Sequence, residues 1–238
     1  MESIISAKNI TKKYGNKIAV SNLSLYVNKG ETFGLLGHNG AGKSTTIECL
    51  LGLKKVNSGS VEILGKEPIK NRRILFEEVG VQLQSTGYQS TIRVGEMCEE
   101  ISCLYKHALD YKELLKQFNL LDKINNPVDS LSGGERQKLF ILLTLIPQPK
   151  VIFLDELTTG LDVLARREVW KQIKALKSKG ITILLTSHYM DEVKALCDRI
   201  CIIKEGKEII TDTVENVIKN SPYDDLENAY LWYVGEEI

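Results

Sequence analysis

The chain has no excess of charge of either sign. Its 31 Lys and Arg balance 31 Asp and Glu over 238 residues, so no broad basic field exists to capture nucleic acid or an anionic membrane. Any binding must be local. Cysteine is sparse: Cys49, Cys98, Cys103, Cys197 and Cys201 are odd in number and contain no CxxC pair. That argues against a disulfide framework or a structural zinc and fits a reducing cytosol. Long hydrophobic runs are missing too, since the longest, Leu139 to Ile146, is far short of a membrane span. Met1-Glu2-Ser3 lacks the basic start and apolar stretch of a signal peptide, and the expectation is a soluble chain. There is no internal repeat and no low-complexity segment. What remains is ordinary: 43% hydrophobic and 26% charged residues are near the averages of soluble globular proteins and exclude disorder, collagen and coiled coil. The length allows one large domain or a core with a smaller insert.

Along the chain, Ile4 to Ala7 and Lys17 to Val27 read as strands of a meander, with turns at Tyr14-Gly15-Asn16 and Asn28-Lys29-Gly30. Thr32 to Leu36 is an apolar strand that runs into a glycine-rich loop, and Lys43 to Leu53 is apolar at helical spacing. Val151 to Leu154 and Ile181 to Leu185 do not alternate, as expected of strands buried on both faces of a parallel sheet. Between them Val169, Ile173 and Leu176 mark one helix face that stops at Gly180. Residues 95 to 148 carry only helical patterns, as in Met97 to Tyr105 and Tyr111 to Phe118. Ile200 to Lys204 and Lys207 to Ile210 flank Glu205-Gly206 as a hairpin, and the tail from Asp212 reads as helical.

The loop Gly37-His38-Asn39-Gly40-Ala41-Gly42-Lys43-Ser44 fits GxxxxGK[ST]. In that pattern glycines let backbone N–H groups turn inward around phosphate oxygens, and the following helix adds its positive end. Lys43 can reach the β- and γ-phosphates as a point charge, and the Ser44 hydroxyl can ligate a bridging magnesium ion. The bland alternative is a glycine-rich strand-to-helix turn; the flanking strand and helix argue against it. His38 by itself reads as a surface residue.

Such a loop needs a metal-orienting carboxylate at the end of a neighbouring strand, and Val151 to Leu154 ends in Asp155-Glu156. Side chains alternate along a strand, so Asp155 can face the metal's water shell while Glu156, just past the strand, can polarise an attacking water. A charged strand end in solvent is the plainer reading. Leu131-Ser132-Gly133-Gly134-Glu135 is by itself a capping box, though two glycines at a helix start also bare N–H groups suited to an anion.

Together the phosphate loop, Leu131 to Glu135 with Arg136-Gln137, and the Asp155-Glu156 strand resemble the ATP-binding cassette (ABC) ATPase family over nearly the whole chain, from Tyr14 to about Gly206. The resemblance implies an α/β fold: a P-loop NTPase core with a mixed, mainly parallel sheet, an N-terminal antiparallel β subdomain and an inserted α-helical subdomain. It divides one ABC ATPase domain into a nucleotide-binding core with β subdomain (1–85 and 150–211), a helical subdomain with the signature (86–149) and a C-terminal helical tail (212–238). It implies ATP and Mg2+ as ligands, with Gly37 to Ser44 and Thr45 around the phosphates. Tyr14 resembles the aromatic residue that stacks on adenine, although a turn aromatic packed on the meander reads the same way. Gln84 resembles the glutamine that reaches the metal and the attacking water, with Gln82 as its rival. His188 resembles the switch histidine at the γ-phosphate, and Asp162 the aspartate at the subunit boundary; Asp162 also reads as a helix N-cap. Departures are His38 and Leu157, where the family often has proline, and Glu135 in place of a frequent glutamine.

In this family the signature of one subunit completes the phosphate site of another. The resemblance therefore implies two cassettes, a homodimer or a pair with a related chain, with Ser132 and Gly134 acting in trans and Gly133 and Glu135 counted with them as nucleotide-binding. Phe33 to Thr46 and Asp225-Leu226-Glu227-Asn228 resemble the drug-resistance and bacteriocin exporter branch. That implies an ATPase motor in the cytoplasm, peripheral on the inner face of the membrane through a transmembrane permease, with no nucleic-acid partner. The competing readings are a mechanical clamp on ribosome or DNA, and a degenerate cassette that binds nucleotide without turning it over. Tyr223, Tyr230, Trp232 and Tyr233 read either as packed core or as a partner surface. Cys197 and Cys201 stand at helical i, i+4 spacing but have no further ligand nearby.

Overall fold

A computed structural model describes residues 3–83, 87–89 and 91–236. In chain order its elements are β1 (Ser3–Tyr14), β2 (Lys17–Asn28), β3 (Thr32–Leu36), α1 (Lys43–Leu50), β4 (Ser58–Ile63), α2 (Pro68–Leu75), β5 (Val79–Gln82), α3 (Val94–Cys103) and α4 (Tyr111–Gln117). They continue as α5 (Gly133–Leu145), β6 (Val151–Asp155), α6 (Val163–Ser178), β7 (Thr182–Ser187), α7 (Met190–Leu196), β8 (Arg199–Lys204), β9 (Lys207–Thr213), α8 (Val214–Lys219) and α9 (Leu226–Val234). Contacts divide the chain into two compact units, Met1–Leu75 with Thr182–Ile238, and Phe76–Ile181.

The first unit holds two sheets. β1 is the middle strand of an antiparallel sheet ordered β2-β1-β4. Both long strands are bent by asparagines in the left-handed region, Asn9 (φ 49°) and Asn22 (φ 50°), a conformation asparagine tolerates better than most residues. The second sheet is mainly parallel: β3 lies between β7 and β8, parallel to both, and β9 returns antiparallel along β8. All five residues of β3 and all six of β7 are buried, which explains their unbroken apolar pattern. Over β8, helices α7 to α9 close a cluster of Leu36, Val193, Ile200, Ile202, Val217, Leu226 and Tyr230.

In the second unit β5 pairs parallel with β6, and α3, α4 and α5 follow β5 with two short 3-10 turns at Leu121–Lys123 and Val128–Ser130. The apolar end of α5 is buried from Ile141 to Leu145. Gly80 permits this packing: a Cβ there would lie 2.4 Å from the Thr144 carbonyl oxygen. α6 buries Val169, Ile173 and Leu176, and the chain leaves it through Gly180 at φ 83°. The fold is thus α/β with mainly parallel pairing, an antiparallel N-terminal sheet and a helical segment. Among the described residues no helix is long and apolar enough to cross a membrane.

Candidate functional site

β3 delivers the chain to the glycine-rich loop, and three of its glycines have distinct reasons to be there. At Gly37 a Cβ would lie 2.6 Å from the Ile203 carbonyl oxygen and 2.8 Å from the Ala41 Cβ. Gly40 stands in open space at φ 84°, so conformation alone demands glycine there. Gly42 combines both, at φ 107° with the Ala19 carbonyl oxygen 2.5 Å from the position of a Cβ. The result is a loop with no side-chain bulk along its backbone except at His38, Asn39 and Ala41. His38, Asn39 and Gly40 face solvent, while Gly37, Ala41 and Lys43 are buried.

Lys43 opens α1 and folds back over the loop, donating from Nζ to the carbonyls of Gly37 (2.8 Å) and His38 (3.3 Å). It therefore holds its ammonium across the mouth of the cradle. α1 begins at Gly42 without a side-chain cap, which suits a helix start meant for an anion. Ser44 is exposed in the first turn and Thr45 half-buried, whereas Thr46 turns inward and donates its hydroxyl to the Gly42 carbonyl at 2.8 Å.

Tyr14 and His188 lie in the same unit as the loop. Tyr14 closes β1 at the hairpin with 44% of its surface exposed, and the Lys12 ammonium stands 5.0 Å from its ring centroid. The ring is therefore held by a cation–π contact and is not packed into the meander. His188 follows the last residue of β7 and is exposed, its ring 4.2 Å from that of Tyr189. The Ser187 hydroxyl, accepting from the Tyr189 N–H at 3.0 Å, fixes the turn.

The second unit carries the carboxylates. Asp155 is the last residue of β6 and only 3% exposed. Glu156 has left the strand with φ 51°, so strand alternation does not aim its side chain; a left-handed turn does, which corrects the sequence argument. Leu157, at the position where the family often has proline, is buried. Gln82 ends β5 and is buried, its Oε1 without a hydrogen-bond partner among the described residues, whereas Gln84 lies outside them. Among those residues no group of three or more His, Cys, Asp or Glu gathers as a metal site.

Ser132 and Glu135 form the capping box of α5: the Glu135 N–H donates to Ser132 Oγ at 3.2 Å and the Ser132 N–H to Glu135 Oε2 at 2.9 Å. Accepting the Ser132 N–H holds the Glu135 carboxyl below its usual range, helped by the Ser132 side chain and by the Lys123 and Lys138 charges. Asp162 caps α6 by accepting from the Ala165 N–H at 2.9 Å. The structure brings these two helix starts together: a Cβ on Gly134 would lie 2.9 Å from the Ala165 Cβ, and one on Gly133 would lie 3.3 Å from Leu161 Cδ2. Gly134 thus has a packing reason to be glycine.

Cys197 is the C-cap of α7 and Cys201 lies inside β8, so their i, i+4 spacing is no helix face. Of the tail aromatics, Tyr230 and Tyr233 belong to the cluster over β8, while Trp232 is 45% exposed. Sequence reasoning missed Gly206, whose contacts with the loop run through backbone atoms and leave no residue-type signal.

The family described as ABC transporter matches residues 20–159. The chain is 40% identical over 212 residues to a Nod factor export ATP-binding protein I of Burkholderia lata, covering 86% of this chain and 69% of that protein. In structure it is similar to an ATP-binding subunit of an ABC transporter, with TM-score 0.87 at 23% identity over 97% of this chain and 99% of that one. A bacterial ABC transporter cassette solved as a dimer gives TM-score 0.77 at 25% identity over 88% and 98% of the two chains. A cradle of glycines closed by a buried lysine, a capped signature helix and these likenesses converge: the chain belongs to the ABC transporter family.

Proposed function

We propose that the chain is the ATP-hydrolysing motor subunit of an exporter, working in the cytoplasm on the inner face of the membrane through a separate transmembrane permease and paired with a second cassette. The observation that carries this is the phosphate loop, where added Cβ atoms at Gly37 and Gly42 would meet backbone within 2.6 Å and Lys43 Nζ already bonds two loop carbonyls. Relatives named for export favour transport over a clamp on ribosome or DNA.

The residues fit ATP with Mg2+. Tyr14 offers an exposed face to adenine. Gly37 to Thr45 surround the phosphates, and Lys43 exchanges its loop carbonyls for β- and γ-phosphate oxygens. By the resemblance, Ser44, Asp155 and Gln84 are the residues that would hold a magnesium ion, which would supply positive charge to offset the charge on the leaving phosphate. Glu156 accepts a proton from water as the water oxygen bonds to the γ-phosphorus; the bond to the β–γ bridging oxygen breaks, leaving ADP and phosphate. His188 donates to the γ-phosphate. Ser132, Gly133, Gly134 and Glu135, with Asp162, meet the nucleotide of the opposing cassette, as the family resemblance implies; a similar cassette is solved as a dimer.

The test is Glu156→Gln in the purified chain. It should bind Mg-ATP like the wild type, release phosphate at least about a hundredfold more slowly, and form a dimer when ATP is added. Unchanged phosphate release would remove Glu156 from the reaction, and a monomer at saturating Mg-ATP would remove the paired-cassette model. Pull-down from native membrane should bring a multi-span permease; its absence would favour the clamp.

A further inference from the structure

The phosphate loop is held from outside by the turn of the β8–β9 hairpin. Glu205 and Gly206 are both left-handed there, at φ 51° and 75°, as a two-residue hairpin turn requires. Gly206 donates its N–H to the Ala41 carbonyl at 2.8 Å and accepts the Ser21 N–H on its own carbonyl at 2.8 Å. It therefore links the loop to β2 through one residue. The Ala19 carbonyl oxygen lies 2.5 Å from where a Cβ would stand on Gly42 and 2.5 Å from where one would stand on Gly206. One carbonyl is pressed between two glycines. At the other end of the loop, the Ile203 carbonyl oxygen sits 2.6 Å from the Cβ position of Gly37, so the hairpin braces both ends of the cradle.

A trans peptide points its C=O and its N–H in opposite directions. Anchoring the Ala41 carbonyl to Gly206 therefore turns the Gly42 N–H away from the hairpin, to the side where a phosphate oxygen is cradled. We propose that Gly206 is a positioning residue for the nucleotide phosphates, acting through the Ala41–Gly42 peptide. This rests on the reading of Gly37 to Ser44 as the ATP site.

Gly206→Ala adds a Cβ that must displace the Ala19 carbonyl or break the Ala41 bond. Gly30→Ala is the control, because Gly30 has a matching φ of 76° in a turn with nothing within 4 Å of an added Cβ. Both variants carry the same backbone strain. Mg-ATP binding by calorimetry should be about tenfold weaker in Gly206→Ala, the scale of one lost hydrogen bond to a charged group, and within about twofold of wild type in Gly30→Ala. The KM for ATP should rise by about the same tenfold while kcat changes less. Gly206→Asn, which tolerates the left-handed turn but keeps the Cβ, should bind as weakly as Gly206→Ala and serves if the latter folds poorly. Equal affinity in the Gly206 and Gly30 variants overturns the proposal. A wild-type chain with no saturable ATP binding overturns the ATP-site reading itself, and this inference with it.

Discussion

Ser132 and Glu135 cap one helix reciprocally, each residue's N–H bonded to the other's side-chain oxygen at 2.9 and 3.2 Å. Ser132→Ala should cost about 1 kcal/mol of stability, the usual value of an N-cap, measured by urea unfolding. Glu135 adds a pH dependence. Its folded carboxyl is held below the usual range, so its contribution is fully present above the ordinary glutamate pKa and is lost as pH falls through the depressed one. Glu135→Gln should be less stable than wild type at pH 7, and the gap should close below about pH 4. A pH-independent gap would rule out the carboxylate's role.

Gly134 and Ala165 meet across the starts of α5 and α6. Gly134→Ala should destabilise by about 1–3 kcal/mol through overpacking, because its new Cβ stands 2.9 Å from the Ala165 Cβ. Adding Ala165→Gly should recover most of that loss in thermal unfolding. A double variant no better than the sum of its parts would show that Gly134 is required for some reason other than this contact.

The cysteines should separate by reactivity. Burial pushes the thiol of Cys49 up to about 11 and those of Cys98 and Cys201 up to about 12, while Cys103 is exposed at the end of α3. The thiolate is the reactive form. At pH 7.5 a maleimide should label Cys103 within minutes, Cys197 more slowly, and the other three only on unfolding. Mass spectrometry of a labelling time course checks the order.

The tail tests the core-or-partner ambiguity of its aromatics. Tyr230 is 9% exposed in the cluster over β8 and Trp232 is 45% exposed. Tyr230→Ala should cost about 3 kcal/mol or more and Trp232→Ala within about 0.5 kcal/mol, both by chemical denaturation. Equal losses would mean that Trp232 is packed too.

Several elements were legible because one physical cause dominated each. β3 was read from Thr32 to Leu36 without error, since burial on both faces leaves an unbroken apolar run. The box of Ser132 and Glu135 and the cap at Asp162 follow from local chemistry and sit where the spacing put them. β1 was read only as Ile4 to Ala7, because the left-handed Asn9 and its register shift break the alternation that marks a strand. β4 and α2 went unread: β4 exposes Ser58, Gly59 and Ser60, and α2 starts at Pro68 and buries only that residue and Leu75. Cys197 and Cys201 share no helix face because α7 ends at Leu196, before both of them. In the candidate site the side-chain motifs were visible and the backbone contacts were not, since a carbonyl such as Ala19's has no letter of its own.

The contacts of Ala19 with Gly42 and Gly206 have a consequence for synthesis on the ribosome. The cradle is shaped by segments from β2, the loop and the β8–β9 turn, and the last of these emerges long after the loop itself. Such long-range closure is slow and late in folding. A nascent chain that has exposed Gly37 to Ser44 but not Gly206 has the motif without the hydrogen bond from Gly206 to the Ala41 carbonyl that braces it.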